Sequence, residues 1–143
     1  MSSQPPAPDD LIDPLAVVVR GYYHDFSRAA ARHGLTTAQA RALSAVDRSP
    51  LPMRILADRL VCDASNATGL ITRLEARGLV ERTPSAHDRR VKLVTPTAAG
   101  TELIARLRAE MHGVHQALEA LTDEERAALA TLLHRLGPLM GAP

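Results

Sequence analysis

The sequence predicts a mainly α-helical domain carrying a small β-hairpin, and three observations predict it. Apolar residues recur at helical spacing through most of the chain. Strand-like composition is confined to two short runs, at 79–83 and 91–95. Capping residues and glycine stops cut the helical stretches into successive elements. With 143 residues and 45% apolar content, the chain is long enough to bury one core.

Residues 1–10, rich in proline and ending in Asp9 and Asp10, read as a disordered arm. A first long helix is expected over about 11–33. Leu11, Leu15, Val18, Val19, Tyr22 and Phe26 form its apolar stripe. Pro14 fits a first turn, which sets the regular start near Asp13. Gly34 ends this helix, and Thr36 with Gln39 makes a capping box for the next, whose Ala40, Leu43 and Val46 face inward. Pro50 and Pro52 interrupt the chain before a short third helix over 54–60.

The stretch 63–92 organises the rest. Asp63 is a good N-cap, and Ala67, Leu70, Ile71 and Leu74 lie on one face of the helix that follows, over 63–77. The opposite face carries Ser65, Gly69, Thr72 and Ala76, flanked by Asn66 and Arg73. Small side chains let a helix enter a major groove about 12 Å wide, and Ser, Asn, Thr and Arg match base edges and phosphates. Gly69 costs roughly 1 kcal/mol against Ala in a helix interior, which favours close backbone approach as its reason. Gly78 supplies a left-handed stop. The two strand runs then flank a loop with His87, Asp88, Arg89 and Arg90, and Arg82 and Lys92 add positive charge. Asp88, two residues before Arg90, is placed to pin an arginine. A helix followed by an arginine-tipped hairpin suits duplex DNA, the helix in the major groove and the hairpin beside it.

The second strand is expected to end by Thr95, before Pro96. Thr97 then caps one long helix to about residue 121, with Leu103, Ile104, Leu107, Met111, Val114 and Leu118 at helical spacing. Thr122 and Glu125 cap a last helix bearing Leu129, Leu132, Leu133, Leu136 and Met140. One copy does not readily bury the stripes of the first and last helices together, which predicts a two-fold interface between copies built from them.

Net charge is only +1, so its distribution carries the argument. Residues 50–92 hold 8 basic and 5 acidic groups, against 5 and 5 before them and 4 and 6 after. No apolar run is long enough to span a bilayer, and no secretory leader opens the chain. The single cysteine, Cys62, excludes an intrachain disulfide, and a cytoplasmic location is expected. His112 and His115 have metal spacing but no convincing further ligand, so no metal and no cofactor are expected. No catalytic constellation stands out, and the chain does not read as an enzyme.

Leu56-Ala57-Asp58-Arg59-Leu60, the run from Leu70 through Arg82, Asp88-Arg89-Arg90 and Thr97-Ala98-Ala99-Gly100 together resemble the winged helix-turn-helix of the MarR (multiple antibiotic resistance regulator) family. The resemblance covers roughly residues 11–140. It implies a winged helix-turn-helix over about 36–96 and helical dimerisation regions at 11–34 and 97–143, within a single domain over 11–143. It also implies a homodimeric transcription regulator on a palindromic operator, often released by a small molecule or an oxidant. The expected DNA contacts are Arg54, Ser65, Asn66, Gly69, Thr72, Arg73, Arg77, Asp88, Arg89 and Arg90. Arg54 stands in for a hydroxyl that the family usually carries where this chain has Leu51-Pro52-Met53. Tyr22, Tyr23 and Phe26, the only aromatic residues, are core or interface packing, or line an effector site between the first helix and the DNA-binding lobe, as the resemblance implies. Two other readings stay open: a winged-helix protein-interaction module without DNA, and a redox sensor acting through Cys62, near the cap of the reading helix.

Overall fold

The computed structural model describes residues 4–60, 62 and 64–141. Its elements in order are α1 (Pro8–Arg32), α2 (Thr37–Arg48), β1 (Leu51–Pro52), α3 (Met53–Leu60), α4 (Ala64–Ala76), β2 (Val80–Pro84), β3 (Lys92–Pro96), α5 (Ala98–Ala109), α6 (His112–Glu119) and α7 (Asp123–Leu139). The chain divides into two units, residues 1–111 and 112–143. The fold is mainly helical with one small antiparallel sheet, as the sequence predicts.

In the first unit α1 starts at Pro8, earlier than the expected residue 11. Proline suits a first helical position because its missing N–H would be unpaired there in any case. Asp9 and Asp10 favour the positive end of the helix, and the Asp10 carboxylate accepts from the Ala7 backbone N–H at 3.0 Å. The acidic pair therefore opens a helix instead of closing an arm, and Pro14 lies inside it. The Thr36–Gln39 capping box forms as expected. The expected N-cap Asp63 and the turn residue Val61 lie outside the described residues.

The sheet has three strands in the order β1-β3-β2. The third is the two-residue β1, where Leu51 pairs with Val94 and Pro52 with Leu93. Two residues offer too little periodicity to announce a strand. The second wing strand reaches Pro96 rather than ending at Thr95: Pro96 pairs with Val80, beyond the reach of β1, where β3 has a neighbour on one side only. Pro84, expected in the loop, pairs with Lys92 at the end of β2.

The core joins Leu43 and Val46 of α2, Leu56 of α3, Ile71 and Leu74 of α4, Val94 of β3, and Ile104 and Leu107 of α5, all fully buried. Gly78 ends α4 at φ +69°, the left-handed stop expected. Thr97 caps α5 by accepting from the Gly100 N–H, while its own hydroxyl donates to the Gly78 carbonyl at 2.6 Å. A Cβ on Gly100 would lie 2.0 Å from the Leu79 carbonyl oxygen. Only glycine lets α5 seat this closely on the backbone that leads from α4 into β2.

The single long helix expected over 97–121 is two helices. The Glu110 carbonyl, which a continuing helix would use for its next turn, accepts from Arg32 Nη2 at 2.7 Å. The Glu110 carboxylate meets Arg32 Nε at 3.3 Å and His33 Nε2 at 3.1 Å. The end of α5 is thereby tied to the end of α1. Partners 77 and 78 residues away in sequence override the helical periodicity.

In the second unit, the Thr122–Glu125 capping box opens α7 as expected. Leu132, Leu133, Leu136, Leu139 and Met140 are exposed, as are Leu11, Leu15, Val18, Val19 and Tyr22 on α1 in the first unit. Of the expected α1 stripe, only Phe26 is buried within one chain.

Candidate nucleic-acid interface

Helix α4 buries Ala67, Ile71 and Leu74 completely. Its other side presents exposed Ser65, Asn66, Thr72 and Arg73 with half-buried Gly69 between them. An added Cβ on Gly69 would meet nothing within 4 Å, so no contact inside the protein requires glycine there. Arg54, in the first turn of α3, is exposed.

Beside α4, the wing tip is a tight turn closed by Val91 N–H to the Asp88 carbonyl at 2.9 Å, with Ser85 N–H to the Val91 carbonyl at 2.8 Å below it. Asp88 Oδ1 accepts the Arg90 backbone N–H at 3.0 Å. The aspartate therefore pins the main chain of Arg90, and not an arginine side chain as the sequence suggested. Arg89 and Arg90 occupy the two central positions of the turn and are exposed. The side chains of Arg73, Arg89 and Arg90 make no hydrogen bond or ion pair to another described residue. A convex polar helix and an arginine tip are the complementary parts that groove and phosphate recognition needs.

Two further arginines have partners within the protein. Arg77, expected to face DNA, donates from Nη1 to the Gly34 carbonyl and from Nη2 to the His33 carbonyl, each at 2.9 Å. It anchors the last turn of α4 to the turn between α1 and α2. Arg82 reaches from β2 to α4, where Nη2 lies 3.1 Å from Thr72 Oγ1 and 3.4 Å from Glu75 Oε2. Sequence reading counted Arg82 only as wing charge. The alternation of the strand carried the missing signal, since Arg82 lies two residues after buried Val80 and on the same side of the strand.

Tyr22, Tyr23 and Phe26 come together with Arg41, Arg48 and Arg59 around a cleft of about 200 Å³. Tyr22 stacks on Phe26 at 5.9 Å and meets Tyr23 edge-on at 5.3 Å, and the Arg41 guanidinium lies 5.4 Å from the centre of the Tyr23 ring. The Nε of Arg59 is buried without a hydrogen-bond partner. Among the described residues, no acidic side chain lines this cleft. Cys62 is half-buried beside Asn66 and Leu70 in a smaller neighbouring cleft, and its N–H donates to the Ala57 carbonyl at 3.2 Å.

No helix among the described residues is long and apolar enough to cross a membrane. A family model described as the MarR family matches residues 33–91. The chain is 32% identical over 82 residues to an uncharacterized HTH-type transcriptional regulator, YybA of Bacillus subtilis, covering 57% of this chain and 55% of that one. It is 32% identical over 104 residues to the homoprotocatechuate degradative operon repressor of Escherichia coli, covering 71% of this chain and 70% of the repressor. The chain spans about half the length of the first curated relatives it matches. The crystal structure of CouR from Rhodococcus jostii RHA1 bound to p-coumaroyl-CoA superposes with a TM-score of 0.72 at 25% identity, over 95% of each chain. The exposed reading face, the braced wing and these similarities lead to one assignment: the chain belongs to the MarR family of winged helix-turn-helix transcriptional regulators.

Proposed function

We propose that the chain is a homodimeric, sequence-specific DNA-binding regulator of the cytoplasm, a repressor released by a small-molecule effector, and not an enzyme. The observation that carries this reading is the exposed polar face of α4 beside a wing tip whose two arginines are held outward. Each protomer lays α4 in a major groove of a palindromic operator, the two half-sites about one helical turn apart. Ser65, Asn66, Thr72 and Arg73 face base edges and phosphates, and Gly69 lets the backbone approach. Arg54 supplies a cation at the start of α3. Arg89 and Arg90 reach the neighbouring minor groove or its phosphates, with Asp88 fixing the turn that aims them. Arg77 supports the reading helix from behind.

The aromatic cleft beside α1 supports the effector half of the reading. Its rings offer stacking, and its three arginines favour an anionic aromatic compound. The match to an operon repressor and the neighbour bound to p-coumaroyl-CoA point the same way. Release follows when the effector favours a spacing of the two reading helices that does not fit the operator.

The test is a fluorescent duplex selected from a random pool, titrated with the parent protein and with Arg90→Ala at two salt concentrations. The parent is expected to lose affinity steeply with salt, and Arg90→Ala, which removes one cation from each of the two wings, to weaken binding and make the salt slope shallower by about two. Binding indifferent to both salt and the substitution would leave a protein-interaction module as the better description.

A further inference from the structure

The arginine of the first wing strand is exposed, yet its guanidinium has partners inside the protein. Strand alternation turns Arg82 to the side of buried Val80, and in the sheet it stands opposite Val94, which is fully buried. From there the guanidinium crosses to α4, donating to the Thr72 hydroxyl at 3.1 Å and pairing with Glu75 at 3.4 Å. The side chains of Arg82 and Glu75 are both only 32% exposed. Partial removal from water makes such a pair firmer than a fully solvated one. The positive charge of Arg82 is thus matched inside the protein, which sets it apart from Arg89 and Arg90 at the tip.

Thr72 lies in the middle of the exposed face of α4. A hydroxyl has one hydrogen and two lone pairs. With one lone pair occupied by Arg82, the hydrogen and the other lone pair of the hydroxyl are left for a further partner. A donor with an adjacent methyl suits an acceptor edge or a thymine methyl in a major groove. The same guanidinium joins the wing to the reading helix, so the two parts meet a duplex as one rigid piece.

We propose that Arg82 is a positioning residue for base reading: by holding Thr72 through a bridge anchored on Glu75, it sets the operator preference at the base pair that Thr72 faces, without itself contacting phosphate. This rests on the DNA-binding reading above. Both contacts come from the one Nη2 at the far end of the side chain; lysine at position 82 keeps the charge on a shorter stem without the planar guanidinium, and valine at position 72 keeps the shape but not the hydroxyl. Glu75→Gln weakens the anchor while leaving both contacting groups in place.

The experiment selects bound duplexes from a random pool with the parent, Arg82→Lys, Thr72→Val, Glu75→Gln and the Arg82→Lys/Thr72→Val double variant, each first checked for folding by its melting temperature. The expected result is that Arg82→Lys and Thr72→Val each relax preference at the same base pair by about tenfold. The double variant should show no further relaxation there, and Glu75→Gln a smaller relaxation at the same place. Losses that add in the double variant, or an Arg82→Lys defect spread evenly over all positions, would overturn the proposal. A parent that enriches no sequence overturns the DNA-binding reading itself, a failure distinct from a selective parent whose two single losses merely add. Should Arg82→Lys not fold, the Thr72→Val and Glu75→Gln pair decides: relaxation at different base pairs rejects the bridge, and relaxation at the same one supports it.

Discussion

Gly69 separates the needs of the protein from the needs of its ligand. Nothing in the chain occupies the space a methyl group would take there, and glycine inside a helix costs roughly 1 kcal/mol against alanine. Gly69→Ala is therefore expected to raise stability by about 0.5–1 kcal/mol in a denaturant titration while weakening binding to the selected duplex. A variant that is stabilised and binds as tightly as the parent would show that the backbone does not approach DNA at this point. At this scale, several features set by local chain geometry were legible in the sequence: the stop at Gly78, the caps at Thr36, Thr97 and Thr122, and the outward face of α4; the start of α1 at Pro8 was not. The destinations of Arg77 and Arg82 were not. A long cation on a surface helix or strand is compatible with solvent, phosphate or a distant carbonyl, and only the fold brings the His33 and Gly34 carbonyls within reach of Arg77.

Among the elements, the junction of α1 with α5 is held by charge. The hydrogen bond from Arg32 keeps the Glu110 carboxyl below the usual carboxylate range; partial loss of water opposes this, and the nearby His33 adds to it. A depressed pKa contributes stability that is complete above the ordinary carboxylate value and disappears as pH falls through the folded-state value. Between about pH 6 and pH 3 the parent is thus expected to lose more of its melting temperature than Glu110→Gln does. Parallel curves for the two proteins would remove Glu110 from the acid response. The same contact explains why one expected helix is two. Hydrophobic spacing continues through Met111 and Val114, but spacing does not register a carbonyl claimed by an arginine from another helix. Strand β1 escaped notice for the related reason that its identity lies in its partner, Val94, and not in its own two residues.

For the whole molecule, the surface that one chain leaves uncovered is the main prediction. Val18 is 68% exposed and Leu133 56% exposed, and apolar side chains of this size favour burial by about 1.5–3 kcal/mol each. Light scattering is expected to give twice the chain mass at micromolar concentration, and Val18→Glu or Leu133→Glu to shift it toward the monomer. A folded parent of single-chain mass would refute the two-copy arrangement.

The grip of Arg77 reaches beyond any single experiment. It closes on main-chain oxygens, which every amino acid supplies, so its receptor cannot be erased by changing the side chain of position 33 or 34 while the turn keeps its path. Descendants of this chain can therefore vary the outward residues of α4, which the proposed function places against DNA, on a mount that persists as long as one arginine does.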